Sequence, residues 1–151
     1  MYSVGYVMYG ISEVNIKSCV DTWMKECSSE EIKEYWNENI LVEEDHLTDE
    51  VVIDEEMLNN LQDYYFEWAT DSSIIWTTYS GDGDVPIFFG SGVTSFDCCN
   101  PFPLKDITEE ALPLIEKHKE NYKNCLKKLP EKLKVLVEKY EPDFHVVFGT
   151  S

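Results

Sequence analysis

The chain has 151 residues, 43% hydrophobic and 13% aromatic, with 30 Asp/Glu against 12 basic residues, all Lys, for a net charge of −18. This length and apolar content suit one domain, 1–151, with a real core, and argue against wholesale disorder. A field so one-sided repels nucleic acid and anionic membranes and attracts basic protein surfaces.

The opening Tyr2–Tyr9 is rich in β-formers and alternates, with Val4, Tyr6 and Met8 on one face, which predicts a strand. Ser12 is placed to cap a helix whose apolar face is Ile16, Val20, Trp23 and Cys27. Ser28 and Glu31 stand at capping-box spacing, and the helix they open should run to about Asn39, burying Ile32, Tyr35 and Trp36. Residues 41–53 read as a short strand or a locally packed loop, with Leu47, Val51, Val52 and Ile53 as its apolar positions. Asp54 caps a third helix with the face Met57, Leu58, Leu61, Tyr64, Tyr65 and Trp68.

After Asp71 the period changes to two. Ile74–Tyr79 and Val85–Gly90 read as strands joined by a hairpin at Ser80–Asp84, and Pro86 makes the second strand either begin there or lie at an edge. Asn100–Pro103 is a break. Thr108 caps a final helical section with a seam of Ala111, Ile115, His118, Tyr122, Cys125, Leu129, Leu133, Leu136 and Tyr140. Pro130 interrupts that seam, because proline in a helix interior costs ~3 kcal/mol, so two helices or one kinked helix follow. Pro142 ends the section and Phe144–Phe148 is a last strand. The fold class is α+β: a small, mainly antiparallel sheet made of the N-terminal strand, the central hairpin and the C-terminal strand, packed with four or five helices.

The charge is not spread evenly. Residues 1–108 carry 22 Asp/Glu and four Lys, whereas residues 109–151 carry eight of each sign. Between Glu43 and Glu56 there are eight acids in fourteen residues and no lysine. Glu30, Glu34 and Glu38 follow one another at i, i+4 and i+8, which puts carboxylates about 6 Å apart along one line of a helix. That line costs a few tenths of a kcal/mol per pair in repulsion, with only Lys33 near enough in sequence to relieve it. The candidate partner-binding residues are therefore Glu30, Glu31, Glu34, Glu38, Glu43, Glu44, Asp45, Asp49, Glu50, Asp54, Glu55 and Glu56. Asp54, Glu55 and Glu56 also have a structural reason to be there, since acids stabilise a helix N-terminus. Tyr35, Trp36, Tyr64, Tyr65 and Trp68 interleave with the acids, and their helical spacing gives most of them a core role.

Chemical motifs fail on inspection. Gly81-Asp82-Gly83-Asp84 starts like a dinucleotide fingerprint, but Pro86 occupies the third glycine position and a strand follows. Read as a calcium loop from Asp82, it has Ile87 and Val93 where Gly and Glu belong. Phe89 precludes a nucleophile elbow at Gly90-Ser91-Gly92. His46, His118 and His145 lie on separate elements without metal-ligand spacing and read as packed histidines. Cys19, Cys27, Cys98, Cys99 and Cys125 form no C-x-x-C pair, so neither a disulfide framework nor a metal site is expected. No catalytic residue and no cofactor is expected.

The absence of arginine and the abundance of Lys, Asn, Ile and Tyr are the usage of an AT-rich genome, such as a low-GC bacterium or its phage. No apolar run approaches the ~18 residues of a membrane span, and the first ten residues lack a signal-peptide pattern; a cytoplasmic protein is expected, in a host cell if phage-encoded. The expected function is stoichiometric inhibition of a basic, nucleic-acid-handling protein such as a nuclease, by imitation of nucleic acid. That is the general character of phage counter-defence (anti-CRISPR-like) proteins and bacterial immunity proteins, although no motif carries the likeness. One alternative is a signalling-nucleotide sponge using the Lys-rich 117–139 segment. The other is a small enzyme using Asp82/Asp84 with a metal, or Cys98/Cys99 as nucleophile.

Overall fold

The computed structural model describes residues 3–40, 42–71, 76–77, 87–97, 109 and 112–150. Their order is β1 (Ser3–Ile11), α1 (Glu13–Glu26), α2 (Ser29–Asn39), a 3-10 turn (Glu43–Asp45), α3 (Glu55–Asp71), β2 (Trp76–Thr77), β3 (Ile87–Asp97), a 3-10 turn (Leu112–Leu114), α4 (Ile115–Lys127), α5 (Glu131–Val137) and β4 (Asp143–Thr150). The four strands make one antiparallel sheet in the order β2-β3-β1-β4, so the fold is α+β. The N-terminal strand is central and pairs directly with the last strand, Gly5 opposite Phe148 and Tyr9 opposite Phe144.

Helices cover the sheet face that carries Tyr9, Ile11, Phe89 and Phe144. Against it lie Ile16, Val20 and Trp23 of α1, Leu61 and Tyr65 of α3, Tyr122 of α4, and Leu133 and Val137 of α5. Burial of each such side chain contributes about 1.5–3 kcal/mol. Met8 and Phe88, on the opposite face, are equally buried. The predicted alternation of β1 is therefore real, but both of its faces are covered. Tyr6 is only half-buried, and the Val4 side chain lies outside the described residues.

Local signals position the helices. Ser28 and Glu31 form the predicted capping box, the Glu31 N–H donating to Ser28 Oγ and the Ser28 N–H to Glu31 Oε2, both at 3.1 Å. Asp54 Oδ1 accepts from the Met57 N–H at 2.8 Å and starts α3. Ser12 stands at the N-cap of α1, although its side chain makes no capping bond. Pro130 divides the last helical section into two, with its missing N–H at a helix start where no acceptor is required.

Two expectations need correction. The second central strand, Ile87–Asp97, lies between β2 and β1, and it runs past Gly90 to Asp97. The two glycines that look like a strand end are part of the ladder: Gly90 faces Gly10, and Gly92 faces Met8. The register shifts between Val7 and Met8, leaving Val93 unopposed as a bulge that bends the strand. On α3, Tyr64 is 42% exposed and Phe66 takes a place in the core. The hairpin turn at 80–84, Asn100–Pro103, Thr108, Ala111 and the Trp68 side chain lie outside the described residues.

Candidate functional site

The acidic surface is built by α2 and the chain that follows it. After Ile40 the backbone turns and runs back along α2, and three α2 side chains and one loop histidine hold it there. Trp36 Nε1 donates to the Asp45 carbonyl at 3.3 Å, and Lys33 Nζ to the Asp49 carbonyl at 3.2 Å. Asn37 makes the tightest link, its Nδ2 donating to the Leu47 carbonyl at 2.9 Å while its Oδ1 accepts from the Leu47 N–H at 2.7 Å. This pair replaces the backbone partners that a strand would have given Leu47. Asn39 Nδ2 donates to the Tyr35 carbonyl one turn back, at 2.8 Å. His46 Nε2 lies 2.7 Å from the Ile40 carbonyl; a carbonyl only accepts, so this nitrogen carries the proton. Residues 42–53 are thus the locally packed loop, with Leu47 and Ile53 against the core.

Each tether is worth about 0.5–1.5 kcal/mol net, and together they fix the loop's carboxylates relative to those of α2. Asn37→Ala removes two of them at once and leaves both polar groups of Leu47 unpaired. We expect a loss of about 1–3 kcal/mol, with faster hydrogen exchange at Leu47 and little change at α1. Denaturant unfolding together with amide exchange checks both parts.

All twelve candidate acids are exposed. Glu30, Glu34 and Asp49 border an open groove of about 620 Å³, completed by Ser29, Lys33, Asn37 and Leu47. Three carboxylates there face a single ammonium, and that ammonium is held on the Asp49 backbone. Glu43, Glu44 and Asp45 form the 3-10 turn beside Trp36. Glu38 lies one turn beyond Glu34 on α2, and Glu50 follows Asp49 in the returning chain.

Two of the twelve have other duties. Glu31 is committed to the capping box and to Lys132 of α5, whose Nζ is 2.7 Å from Oε1. The Lys132 ammonium, with help from the Ser28 N–H, holds the Glu31 carboxyl below the usual carboxylate range. Asp54 is engaged as the α3 cap, and neither Glu55 nor Glu56 borders the groove. The ion pairs among the described residues otherwise engage Glu13, Asp21, Glu116 and Glu138, with lysines of their own helices. None reaches Glu30, Glu34, Glu38, Glu43, Glu44, Asp45, Asp49, Glu50, Glu55 or Glu56.

The aromatics divide only partly as their spacing suggests, because Tyr64 is exposed. Tyr65 is buried against Trp23 and Phe66, and Tyr35 packs beside it. Trp36, half-buried against the core, pairs with the exposed Tyr64, ring centres 4.7 Å apart, joining α2 to α3 next to the acidic loop. Sequence reasoning missed the clasp made by Lys33, Trp36, Asn37 and His46. The available signal was Asn37, a poor helix former in the last turn of α2 whose side chain readily seeks backbone groups.

The groups considered for chemistry are dispersed. Asp82, Asp84, Cys98 and Cys99 lie outside the described residues. Burial pushes the thiols of Cys19, Cys27 and Cys125 up, the neighbouring Glu31 adding to this at Cys27, so each is held as thiol and not thiolate. His145 packs its ring against Phe88 at 5.4 Å, and its Nδ1 donates to the Asp143 carbonyl at 2.9 Å. Among the described residues no three His, Cys, Asp or Glu side chains are grouped to hold a metal. Lysines of the 117–139 segment are turned outward, three of them paired with Glu116, Glu138 and Glu31. No helix among the described residues is long and apolar enough to cross a membrane. Comparison with protein-family models, with curated proteins and with solved structures finds no match for the chain.

Proposed function

We propose that this protein is a stoichiometric inhibitor that binds a basic, nucleic-acid-handling protein, such as a nuclease, and performs no chemistry on a substrate. Its α2 helix and the returning 42–50 loop present carboxylates where the target expects phosphates. The observation that supports this most is the clasp. A merely solubilising surface gains nothing from holding its repelling charges together, whereas a mimic needs them fixed, because ordering them during binding would subtract from affinity. Unpaired carboxylates next to fixed ones also displace the counterions of a Lys/Arg-lined channel, as nucleic acid does.

The test is a titration of candidate nucleases, including CRISPR effectors and restriction enzymes, with the protein at rising salt. The expected result is one-to-one inhibition of a target that weakens steeply between 50 and 300 mM salt, conditions over which the screening length falls from about 14 to 6 Å. Inhibition that ignores salt speaks against the proposal, as does none across such a panel.

A further inference from the structure

The interface between α4 and the sheet contains polar groups that an apolar residue would replace at no cost. His118 is 4% exposed, and neither Nδ1 nor Nε2 has a hydrogen-bond partner. One turn on, Tyr122 is 5% exposed and its hydroxyl is likewise unpartnered. The His118 ring stands edge-on to Phe144 of β4, 6.2 Å between centres. Tyr122 packs edge-on to Tyr9 of β1 and Phe89 of β3, at 5.9 and 5.7 Å. Leaving a buried donor or acceptor unpaired is unfavourable, so this helix docks at a penalty.

The surroundings decide how His118 responds to a proton. From α4 the charged group acting on it is Lys117; Glu116, Lys119 and Glu120 of the same helix are exposed, and the titratable groups on its buried side are Tyr122 and the Cys125 thiol, which donates to the Gly90 carbonyl at 3.8 Å. From β4 it meets Phe144, while His145 is turned to Phe88. β1 contributes Tyr9 and β3 contributes Phe89, both through Tyr122. Glu138, which follows α5, and Cys19 of α1 act on Tyr122 and not on His118. Among the described residues no carboxylate acts on the imidazole to accept a charge, and burial followed by Lys117 pushes its pKa down.

We propose that His118 is a pH-operated latch: neutral, it allows α4 to lie on the sheet, and protonated, it drives that helix off. An imidazolium at this position would be a buried, unpaired charge, and the structure escapes that cost by letting the ring reach water. The sign follows from linkage. A free histidine takes its proton near pH 6.5, and the docked one only at lower pH. Docking is therefore fully favoured above about pH 6.5 and is lost as pH falls from there towards the docked value, by up to about tenfold in the equilibrium constant per pH unit. Ordinary carboxylates titrate near pH 4, below this window.

The experiment is urea unfolding and amide NMR of the full chain between pH 7.5 and 5.5, for the parent protein, His118→Leu, and a His46→Gln/His145→Gln double variant. The parent and the double variant should lose stability as pH falls, and His118→Leu should be flat. Amides of residues 115–127 should respond with a common midpoint while those of α2 do not. Equal slopes in parent and His118→Leu overturn the latch, as does simultaneous loss of α2 and α4 amides. Should His118→Leu not fold, the His118 ring proton of the parent decides: titration near pH 6.5 with α4 still docked overturns the proposal, and titration only together with loss of docking upholds it.

Discussion

Gly90→Ala is expected to remove about 3–5 kcal/mol of stability, a large share of the ~5–15 kcal/mol available to a domain of this size. Gly10 and Gly90 face each other across β1 and β3 with φ of +156° and +150°, a region that side chains rarely enter. A Cβ on Gly90 would run into the Tyr9 carbonyl oxygen and come within 2.8 Å of Gly10 Cα and 2.9 Å of the Phe88 ring. The carbonyl and Cα are backbone atoms, so relief requires the two central strands to separate. Gly10→Ala meets the Phe89 carbonyl in the same way and should cost as much. Gly92, exposed and without the unusual φ, is the control: Gly92→Ala should change stability by less than ~1 kcal/mol. Urea midpoints of the three variants give the comparison, and a Gly90→Ala protein as stable as Gly92→Ala contradicts the packing described for β1 and β3.

The second large effect concerns the charged face. Changing Glu30, Glu34, Glu43 and Glu44 together to lysine is expected to weaken target inhibition by at least ~100-fold while leaving the fold intact. All four side chains are exposed, and none is tied into an ion pair or a cap among the described residues. Substitution at such positions changes stability by only about 0.5 kcal/mol each, and here it relieves repulsion along α2. For binding, the same changes place like charges against a basic channel, which costs several kcal/mol and removes electrostatic steering worth 10- to 10³-fold in association rate. Inhibition assays and thermal melts on the same preparation separate the two effects. A variant that melts like the parent and inhibits as well removes the acidic face from the function.

Much of the fold was legible because its signals are local. The capping box at Ser28/Glu31, the Asp54 cap, the interruption at Pro130 and the final strand each rest on residues within a few positions of one another, where backbone chemistry leaves little choice. The β3 boundary failed because Gly90 is a poor strand former by itself and makes sense only opposite Gly10, eighty residues earlier. Tyr64 and Phe66 exchanged roles because the period fixes a helix face only to within one residue at its margins. The acidic residues were legible as a run, whereas their arrangement was not. Asn37–Leu47 and Lys33–Asp49 bonds join a side chain to a backbone 10 and 16 residues away, and no periodicity encodes them.

Under the proposed function, the placement of the carboxylates, and not the total charge, drives binding of the target. The direct measurement compares two variants with the same net charge: lysine at Glu30, Glu34, Glu43 and Glu44, and lysine at the exposed Glu116, Glu120, Glu131 and Glu141 of the balanced section. Association and dissociation rates with an inhibited basic nuclease are recorded at two salt concentrations. The first variant should lose binding and the second should keep it within about threefold. Equal loss in both would mean that bulk charge alone acts, and would contradict the proposal.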